Sequence, residues 1–304
     1  MGNVVNGKRM MKVGFIGLGQ MGKWMAANIA KQGFNIKVFD IDSTAMDFLV
    51  DQGAIPARSL SDIAKSSEVV ILSLPNAEVC DDVIFGNMGI AGNTRPGTIL
   101  VDCGTSGYGW TRNTAERLVK QEITLLDAPV SGLEEKARKA ALTIMVGGSK
   151  EDLEQVWPVL EAMGKTINHM GAAGSGQLAK MINNVIYNVN IACLAEILPM
   201  AVKLGLAPDK IADVINSGSG RSFASEYFIP KMLQGRFRDS YRLGNAYKDM
   251  QHMEEAASRH GISLPLFQSA LDTYCKALDD GLENEDKGAM IKVIEKEMGV
   301  LFRK

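Results

Sequence analysis

The sequence predicts an α/β domain with a mostly parallel, doubly wound sheet, followed by an all-α domain. Two observations support this prediction. From Lys12 to about Gly171, short apolar runs typical of buried strands alternate with amphipathic segments typical of helices. Beyond Gly171 the strand signals stop, and apolar residues recur at helical spacing. Alternating strands and helices join through right-handed crossovers, so helices are expected on both faces of a parallel sheet.

The first predicted strand leads into a turn rich in glycine. Residues 13–16 form a buried apolar run, and a helix is predicted over about 21–31. In the turn between them, Gly17 permits a tight bend, Gly19 lets the backbone approach a diphosphate closely, and Gly22 lets the helix pack against the strand. A diphosphate there meets free N–H groups and the positive end of the helix dipole. The pattern predicts a Rossmann domain that binds a nicotinamide dinucleotide through Gly17, Leu18, Gly19, Gln20, Met21 and Gly22.

An acidic residue indicates which dinucleotide is preferred. Asp40 follows the second predicted strand, residues 36–39, where its carboxylate can accept hydrogen bonds from both ribose hydroxyls of NAD. Asp42 lies close by and no arginine follows, so a 2′-phosphate would be repelled. NAD is therefore the predicted cofactor and NADP is less favoured. For NADP to bind, Lys37 or Arg58 would have to approach the 2′-phosphate and neutralise it.

The remaining elements of the α/β domain follow in order. Helices are predicted near 43–51, from residue 60, near 81, over 111–121 and over 151–162. Strands are predicted over 69–74, 98–102, 124–127 and 142–146, and near 166–168. The predicted NAD-binding domain thus covers residues 12–173.

The helical domain is predicted over residues 174–304, for substrate binding and oligomerisation. It begins with an interdomain helix of roughly thirty residues, about 45 Å long. Pro199 is expected to kink or shorten this helix, and Gly205 to end it. Four or five further helices are expected, with breaks near 217–220, Gly261 and Gly281.

Charge and composition argue against several classes of partner. The net charge is −2 and the basic residues are scattered among acids, so no nucleic-acid surface is expected. No run is expected to be long enough to span a bilayer. Residues 1–11 lack the apolar core of a secretory signal and suggest an added remnant or an alternative start. Three histidines without zinc-type spacing predict no metal site, and four scattered cysteines indicate a reducing, cytoplasmic location: Cys80, Cys103, Cys193 and Cys275.

Three segments place polar side chains where chemistry is expected. The first, residues 127–132, follows a predicted strand, and ligands of open α/β sheets bind outside such strand ends. Ser131 and the N–H groups beside Gly132 can bind a substrate carboxylate, or the segment is a plain turn.

The second segment places Lys180 and Asn184 four residues apart on a helix, so their side chains share a face about 6 Å apart.

Lys180 adjoins an apolar stripe, where a lysine is costly without a partner or a role. Partial burial lowers the pKa of a lysine and makes it an acid and base near neutrality. The alternative is a lysine whose amine reaches solvent, beside a surface asparagine. The third segment carries Lys248, which either reaches the cofactor or the anionic group of a substrate or is a solvated charge.

In this order the segments resemble the β-hydroxyacid dehydrogenase family, which includes 3-hydroxyisobutyrate dehydrogenase, tartronate semialdehyde reductase and succinic semialdehyde reductase. The similarity covers about residues 12–294 and rests on the glycine turn with Met25 and Asn28, then 127–132, 174–184 and 248–249. It implies an NAD-dependent enzyme that interconverts a small 3-hydroxy acid and its semialdehyde, as a homodimer or homotetramer.

The same resemblance implies roles for individual residues. Lys180 would transfer the proton of the substrate hydroxyl, while Asn184 and the pair Ser131-Gly132 would orient the substrate. The implied cofactor contacts come from Leu74, Pro75, Thr105 and Lys248, and Thr105 also borders the substrate.

Two loops depart from the family pattern. Residues 102–109 are rich in glycine and partly resemble 6-phosphogluconate dehydrogenase, and Leu133-Glu134 replaces the usual second glycine after Gly132. Both loops border the predicted substrate site, so the identity of the hydroxy acid stays open.

Cys103, a thiol without a histidine partner, is expected to pack rather than react. Arg221 either supplies a fork for a second anionic group on the substrate or faces solvent.

Three other functions are open alternatives. An oxidative decarboxylase like 6-phosphogluconate dehydrogenase would carry a glutamate seven residues after the lysine, where this chain has Tyr187. Imine reductases of similar architecture typically lack the lysine. A non-catalytic scaffold that binds a dinucleotide belongs to a different class, and an inactive family member has lost the lysine that this chain retains at position 180.

Overall fold

The computed structural model describes residues 11–304, together with two short paired strands at Val4–Val5 and Lys8–Arg9. The prediction for residues 1–11 otherwise concerns positions before Met11 that lie outside the described residues. The chain separates into two compact units, Met1–Lys180 and Met181–Lys304. The division falls inside one long helix, and the boundary predicted between residues 173 and 174 stays a prediction.

The first unit alternates strands and helices as predicted. Its strands are β1 (Lys12–Ile16), β2 (Asn35–Phe39), β3 (Ile55–Pro56), β4 (Val69–Leu72), β5 (Ile99–Asp102), β6 (Thr124–Asp127), β7 (Val130–Ser131), β8 (Leu142–Gly147) and β9 (Gly164–Gly171). Its helices are α1 (Gly22–Lys31), α2 (Ser43–Val50), α3 (Leu60–Ser66), α4 (Ala77–Phe85), α5 (Tyr108–Val119), α6 (Leu133–Arg138) and α7 (Lys150–Glu161). The two-residue strands β3 and β7 and the short helix α6 are additions to the predicted elements.

The sheet has the order β9-β8-β6-β5-β4-β1-β2-β3, and β7 pairs with β8. Strands β1 to β6 are parallel, whereas β8 runs antiparallel to β6 and β7 and parallel to β9. This topology confirms the mostly parallel Rossmann sheet. Since β2 and β4 flank β1 on opposite sides, the chain reverses its winding direction beside β1. Ligands of such sheets bind at the carboxyl edge of this reversal point.

Both faces of the sheet are buried. Along the central strands the side chains alternate between two apolar clusters, so Phe15 and Ile71 pack on one face while Ile16 and Leu72 pack on the other. This double burial explains why the strands appear in the sequence as continuous apolar runs. Burial of each such side chain contributes about 1.5–3 kcal/mol.

The helix α8 (Ser175–Lys203) has 29 residues, close to the predicted length. Pro199 was expected to kink or shorten this helix. It does not shorten it, because the helix continues to Lys203, and the kink stays a prediction. Leu198, Pro199 and Ala201 are all buried, so packing of the last turn outweighs the backbone hydrogen bond that proline lacks. Gly205, at φ +92°, ends the helix as predicted.

By length and composition alone, α8 is long and apolar enough to cross a membrane. The expectation that no segment reaches this length was therefore wrong. Within the described chain, 39 % of its most apolar window is buried, and core helices of folded domains meet the same criterion. The absence of a membrane partner stays a prediction.

Five helices follow α8 in the second unit, which agrees with the predicted number. They are α9 (Pro208–Ser217), α10 (Phe223–Leu233), α11 (Leu243–Arg259), α12 (Pro265–Asp279) and α13 (Ile291–Met298), with a 3₁₀ helix (Lys287–Met290) before the last. They enclose a core that includes Phe228, Met250, Tyr274 and Phe302.

Candidate active site

The turn between β1 and α1 depends on two glycines. Gly17 has a φ of +92°, and a Cβ there would lie 2.3 Å from the carbonyl oxygen of Ser73. A Cβ at Gly22 would lie 2.0 Å from the carbonyl oxygen of Gly17. By contrast, a Cβ at Gly19 would meet nothing within 4 Å. The first and third glycines therefore shape the turn, and the second faces open space.

The same turn presents amide donors at the start of α1. The amides of Gly19, Gln20 and Met21 have no acceptor among residues 11–304, and helix bonding begins where the amide of Lys23 donates to Gly19. These donors lie at the positive end of the α1 dipole. Open space with convergent N–H groups suits a diphosphate, so the residues present fit a dinucleotide cofactor.

Asp40 lies beside this turn, just after β2. Its two carboxylate oxygens accept hydrogen bonds from the amides of Leu18, at 2.5 Å, and Asp42, at 2.9 Å. Each oxygen retains capacity to accept a second hydrogen bond. Of the cations considered for NADP, Lys37 pairs with Asp62 at 2.6 Å and Arg58 is exposed.

The segments after β4 and β5 meet at the same edge of the sheet. The carbonyl oxygen of Leu74 lies 2.8 Å from the position that a Cβ at Gly104 would take. Leu74 is half-buried, whereas Pro75 and Thr105 are exposed. The structure thus places Leu74 beside Gly104, the neighbour of Thr105.

Two buried carboxyl groups were not among the predicted site residues. Asp102 ends β5 and accepts from the amide of Gly104 at 2.9 Å. Asp127 ends β6 and accepts from the amides of Gly174, at 2.7 Å, and Gln177, at 2.8 Å, so it holds the first turn of α8. The side chain of Gln177 donates to the carbonyl of Gly104 at 2.9 Å, which links the two segments. The signal in the sequence was their position, since each acid is the last residue of an apolar strand, and the structure pairs the two strands so that the acids are neighbours.

Burial dominates the ionisation of this cluster. It raises the pKa of Asp102 to about 6, against hydrogen bonds from Ser106 and Gly104 that lower this pKa. Burial also raises the pKa of Asp127, although the amides at the start of α8 oppose the shift. Cys103 is 5 % exposed within the apolar core, and burial raises its pKa, as expected for a packing residue. All four cysteines are free thiols.

Lys180 lies in the first unit, where it contacts the predicted substrate loop. Its Nζ donates to the carbonyl oxygen of Val130 at 2.8 Å, immediately before Ser131 and Gly132. Gly132 has a φ of +145°, and a Cβ there would lie 2.7 Å from Cβ of Lys136. Ser131 pairs with Thr143 across β7 and β8 and is half-buried. The structure therefore brings Lys180 together with the segment 127–132.

The second unit carries the other predicted residues. Asn184 follows Lys180 by one turn of α8, and its amide donates to Asp249 at 3.4 Å. Lys248 is exposed on α11, and Arg221 is exposed beside Glu226 at 3.8 Å. Tyr187 packs against the rings of Phe223 and Phe228. Among the described residues, no group of three His, Cys, Asp or Glu side chains is arranged to hold a metal ion.

Comparisons with known proteins agree with this geometry. The family profile described as the NAD-binding domain of 6-phosphogluconate dehydrogenase matches residues 12–171. The profile described as the NAD-binding domain of NADP-dependent 3-hydroxyisobutyrate dehydrogenase matches residues 174–294.

Individual relatives extend over nearly the whole chain. 2-(Hydroxymethyl)glutarate dehydrogenase of Eubacterium barkeri is 36 % identical over 294 residues, covering 96 % of this chain and 98 % of that protein. NAD-dependent L-serine dehydrogenase of Pseudomonas aeruginosa is 33 % identical over 297 residues, covering 95 % and 100 %. The structure of Mycobacterium tuberculosis 3-hydroxyisobutyrate dehydrogenase with L-serine is 32 % identical, with a TM-score of 0.84 over 94 % of this chain and 99 % of that one. The chain belongs to the β-hydroxyacid dehydrogenase family and is an NAD(P)-dependent oxidoreductase acting on CH–OH groups.

Proposed function

We propose that this enzyme interconverts a small 3-hydroxy acid and its semialdehyde with NAD, and that Lys180 is the general acid and base. The observation that carries the proposal is the 2.8 Å hydrogen bond from Lys180 Nζ to the carbonyl of Val130. This bond holds an amine beside Ser131 and Gly132, where a carboxylate can be bound. Oxidation of a hydroxy acid uses a base that takes the hydroxyl proton and a site that holds the carboxylate, and this arrangement can provide both.

The names of the relatives indicate a shared substrate unit. 2-(Hydroxymethyl)glutarate, L-serine and 3-hydroxyisobutyrate all carry a CH₂OH group on the carbon next to a carboxylate. They differ only in the third substituent of that carbon. We therefore propose that this chain binds the same unit and that the loops after β5 and β7, which depart from the family pattern, select the substituent.

In this proposal the residues of the chain bind, orient and move a proton. The bound dinucleotide supplies the hydride acceptor or donor at its nicotinamide ring. Lys180 Nζ takes the hydroxyl proton during oxidation and returns it during reduction. Ser131 and the amide beside Gly132 bind the carboxylate, Asn184 orients the hydroxyl, and Thr105 borders substrate and cofactor. Holding the reacting atoms in one geometry is the main contribution of the protein.

Several features support NAD as the preferred cofactor. Asp40 and Asp42 lie together at the end of β2, and a carboxylate repels a 2′-phosphate at short range. Lys37 is held by Asp62 and is not available to neutralise such a phosphate. We propose that Gly17 to Gly22, Leu74, Pro75 and Lys248 contact the dinucleotide.

We also propose that the enzyme is a cytoplasmic homodimer or homotetramer without nucleic-acid or membrane partners. Large apolar side chains are exposed along α8 and beyond it, among them Ile182, Ile186, Ile197 and Met200. Exposed apolar groups on this scale are typical of association surfaces. Light scattering that shows a monomer at micromolar concentration would contradict the oligomer.

A spectrophotometric screen tests the reaction. NAD and NADP are each offered with 3-hydroxyisobutyrate, L-serine and 2-(hydroxymethyl)glutarate, and formation of the reduced nicotinamide is followed. With the best substrate, Lys180→Ala should lower kcat by about 10²–10⁴-fold, because a positioned acid–base group contributes that much. Dinucleotide affinity, measured by fluorescence, should change little.

Lys210→Ala is the matched control, because Lys210 is an exposed lysine on α9. Its kcat should equal that of the wild type. Full activity in Lys180→Ala would remove Lys180 from the chemistry. Tight dinucleotide binding without turnover of any hydroxy acid would instead favour a scaffold.

A further inference from the structure

The turn after β7 contains Glu134, whose side chain forms its hydrogen bonds with residues outside its own helix, α6. Gly132 is followed by Leu133, at φ +57°, and by Glu134. Leu133 is exposed and Glu134 is half-buried. The left-handed conformation at Leu133 turns the chain so that the first turn of α6 faces α1.

The carboxylate of Glu134 bonds to the dinucleotide turn and to the helix that follows it. It accepts from Nε1 of Trp24 at 2.8 Å and from Nε2 of Gln20 at 3.1 Å. Lys23 lies 3.8 Å away. The hydrogen bonds from Trp24 and Gln20 lower the pKa of Glu134, so the group is a carboxylate at neutral pH.

Two further contacts join the same helices. The amide of Asn28 donates to the carbonyl of Ala137 at 2.7 Å, and this bond is buried. The guanidinium of Arg138 lies 4.7 Å from the ring centre of Trp24. Trp24 is therefore held at its nitrogen by Glu134 and at its ring by Arg138. Hydrogen bonds and a cation–π contact therefore connect α1 with α6, and Glu134 is the member of this contact that also bonds to the dinucleotide turn.

We propose that Glu134 is a positioning residue that couples the dinucleotide turn to the substrate loop. Glu134 follows the pair Ser131-Gly132 by two residues in the chain. It also accepts a hydrogen bond from Gln20, which lies between Gly19 and Gly22 in the dinucleotide turn. A dinucleotide that orders residues 17–22 thereby orders residues 131–134 through this carboxylate. The prediction is positive coupling, in which bound dinucleotide improves the affinity for the hydroxy acid.

This inference rests on the proposed function for its substrate half, but its cofactor half is measured without turnover. Hydrogen–deuterium exchange of the peptide covering residues 131–139 is followed with and without NAD. In the wild type, NAD should slow this exchange. In Glu134→Ala the slowing should be lost, and the KM for the hydroxy acid should rise about 10-fold, as expected for a charge-assisted hydrogen bond that is partly exposed. The kcat should change less than the KM.

Matched variants separate positioning from general loss of structure. Glu135→Ala alters the next residue, which is exposed and pairs with Lys139, and it should behave as the wild type. Glu134→Gln retains one acceptor oxygen and should give an intermediate effect. Trp24→Phe removes the indole donor but keeps a ring, so combined with Glu134→Gln its effect should be less than additive.

Two outcomes would overturn the proposal. One is NAD-dependent slowing of exchange over residues 131–139 that is equal in the wild type and in Glu134→Ala. The other is a Glu134→Gln variant with a wild-type KM and wild-type exchange. If no hydroxy acid is turned over but the exchange response is lost in Glu134→Ala, the coupling stands and the proposed substrate fails.

Discussion

The turn after β1 and the turn after β7 both lead from a strand into a helix, but different features stabilise them. Both contain a residue at positive φ. In the first turn, Gly17 and Gly22 leave no room for a Cβ. In the second, Leu133 adopts positive φ with a full side chain, and Glu134 accepts hydrogen bonds from Trp24 on α1 and from Gln20 in the first turn, which are 110 and 114 positions away in the sequence. The first turn depends on missing side chains and the second on side chains that are present.

Substitution at the first turn should give the largest effect on stability. An alanine gains about 1 kcal/mol over glycine inside a helix. In Gly22→Ala, however, the new Cβ would lie 2.0 Å from the backbone oxygen of Gly17, which cannot move aside cheaply. We expect a net loss of about 3 kcal/mol in the free energy of unfolding, measured by urea denaturation.

Gly19→Ala is the control for that prediction, because a Cβ there meets nothing within 4 Å. Its stability should stay close to that of the wild type while its dinucleotide affinity falls. Equal destabilisation by both substitutions would show that the close approach at Gly22 does not hold the turn together.

A third turn, after β5, sharpens the comparison because a buried carboxyl group holds it. Burial raises the pKa of Asp102 from 3.8 to about 6, so the folded state binds more protons between these values. Stability from this group is therefore full below about pH 4 and is lost as the pH rises through about 6, a change of ~3 kcal/mol. Asp102→Asn removes this pH dependence.

The measurement is the free energy of unfolding of both proteins from pH 4 to pH 7. The wild type should lose stability relative to Asp102→Asn as the pH rises. Parallel curves would mean that Asp102 titrates alike in the folded and unfolded chains.

The smallest effect is expected at the second turn. Leu133 has a φ of +57°, a conformation that costs a side chain about 1 kcal/mol or more and costs glycine little. Leu133→Gly should therefore leave thermal stability unchanged or raise it by up to ~1 kcal/mol, since the gain in unfolded-state entropy offsets part of the relief. Leu266→Gly, at an exposed helical leucine on α12, should lower stability instead. A clear loss at Leu133 would mean that its side chain stabilises the turn.

How far the site was predictable depended on whether its residues are local in sequence. The glycine turn, Asp40 and the pairing of Lys180 with the segment 127–132 were all indicated by motif spacing or by resemblance. Asp102 was missed as a site residue, and Asp127 was included in the segment 127–132 without a role of its own, because a buried acid after an apolar strand looks like any strand end. Only the paired register of β5 and β6 brings them together, with Gln177 between their segments.

The same reasoning explains the errors in the fold. Pro199 was expected to kink or shorten α8 because local propensity disfavours proline inside a helix, and the shortening does not occur. Buried neighbours decided otherwise, and such burial is a property of the packed domain. The helix α6 was missed because its six residues carry too short a periodic pattern to be recognised.

The sequence by itself determined the order of strands and helices, the dinucleotide turn and the length of α8, since each follows from periodicity or from a backbone position that only glycine can occupy. Tertiary structure alone decided that Asp127 anchors the start of α8, that Val130 orients Lys180, and that Glu134 bonds to α1. The physical reason is that hydrogen-bond partners far apart in the chain become neighbours only when strands pair and helices pack, and no local pattern records which partner will be reached.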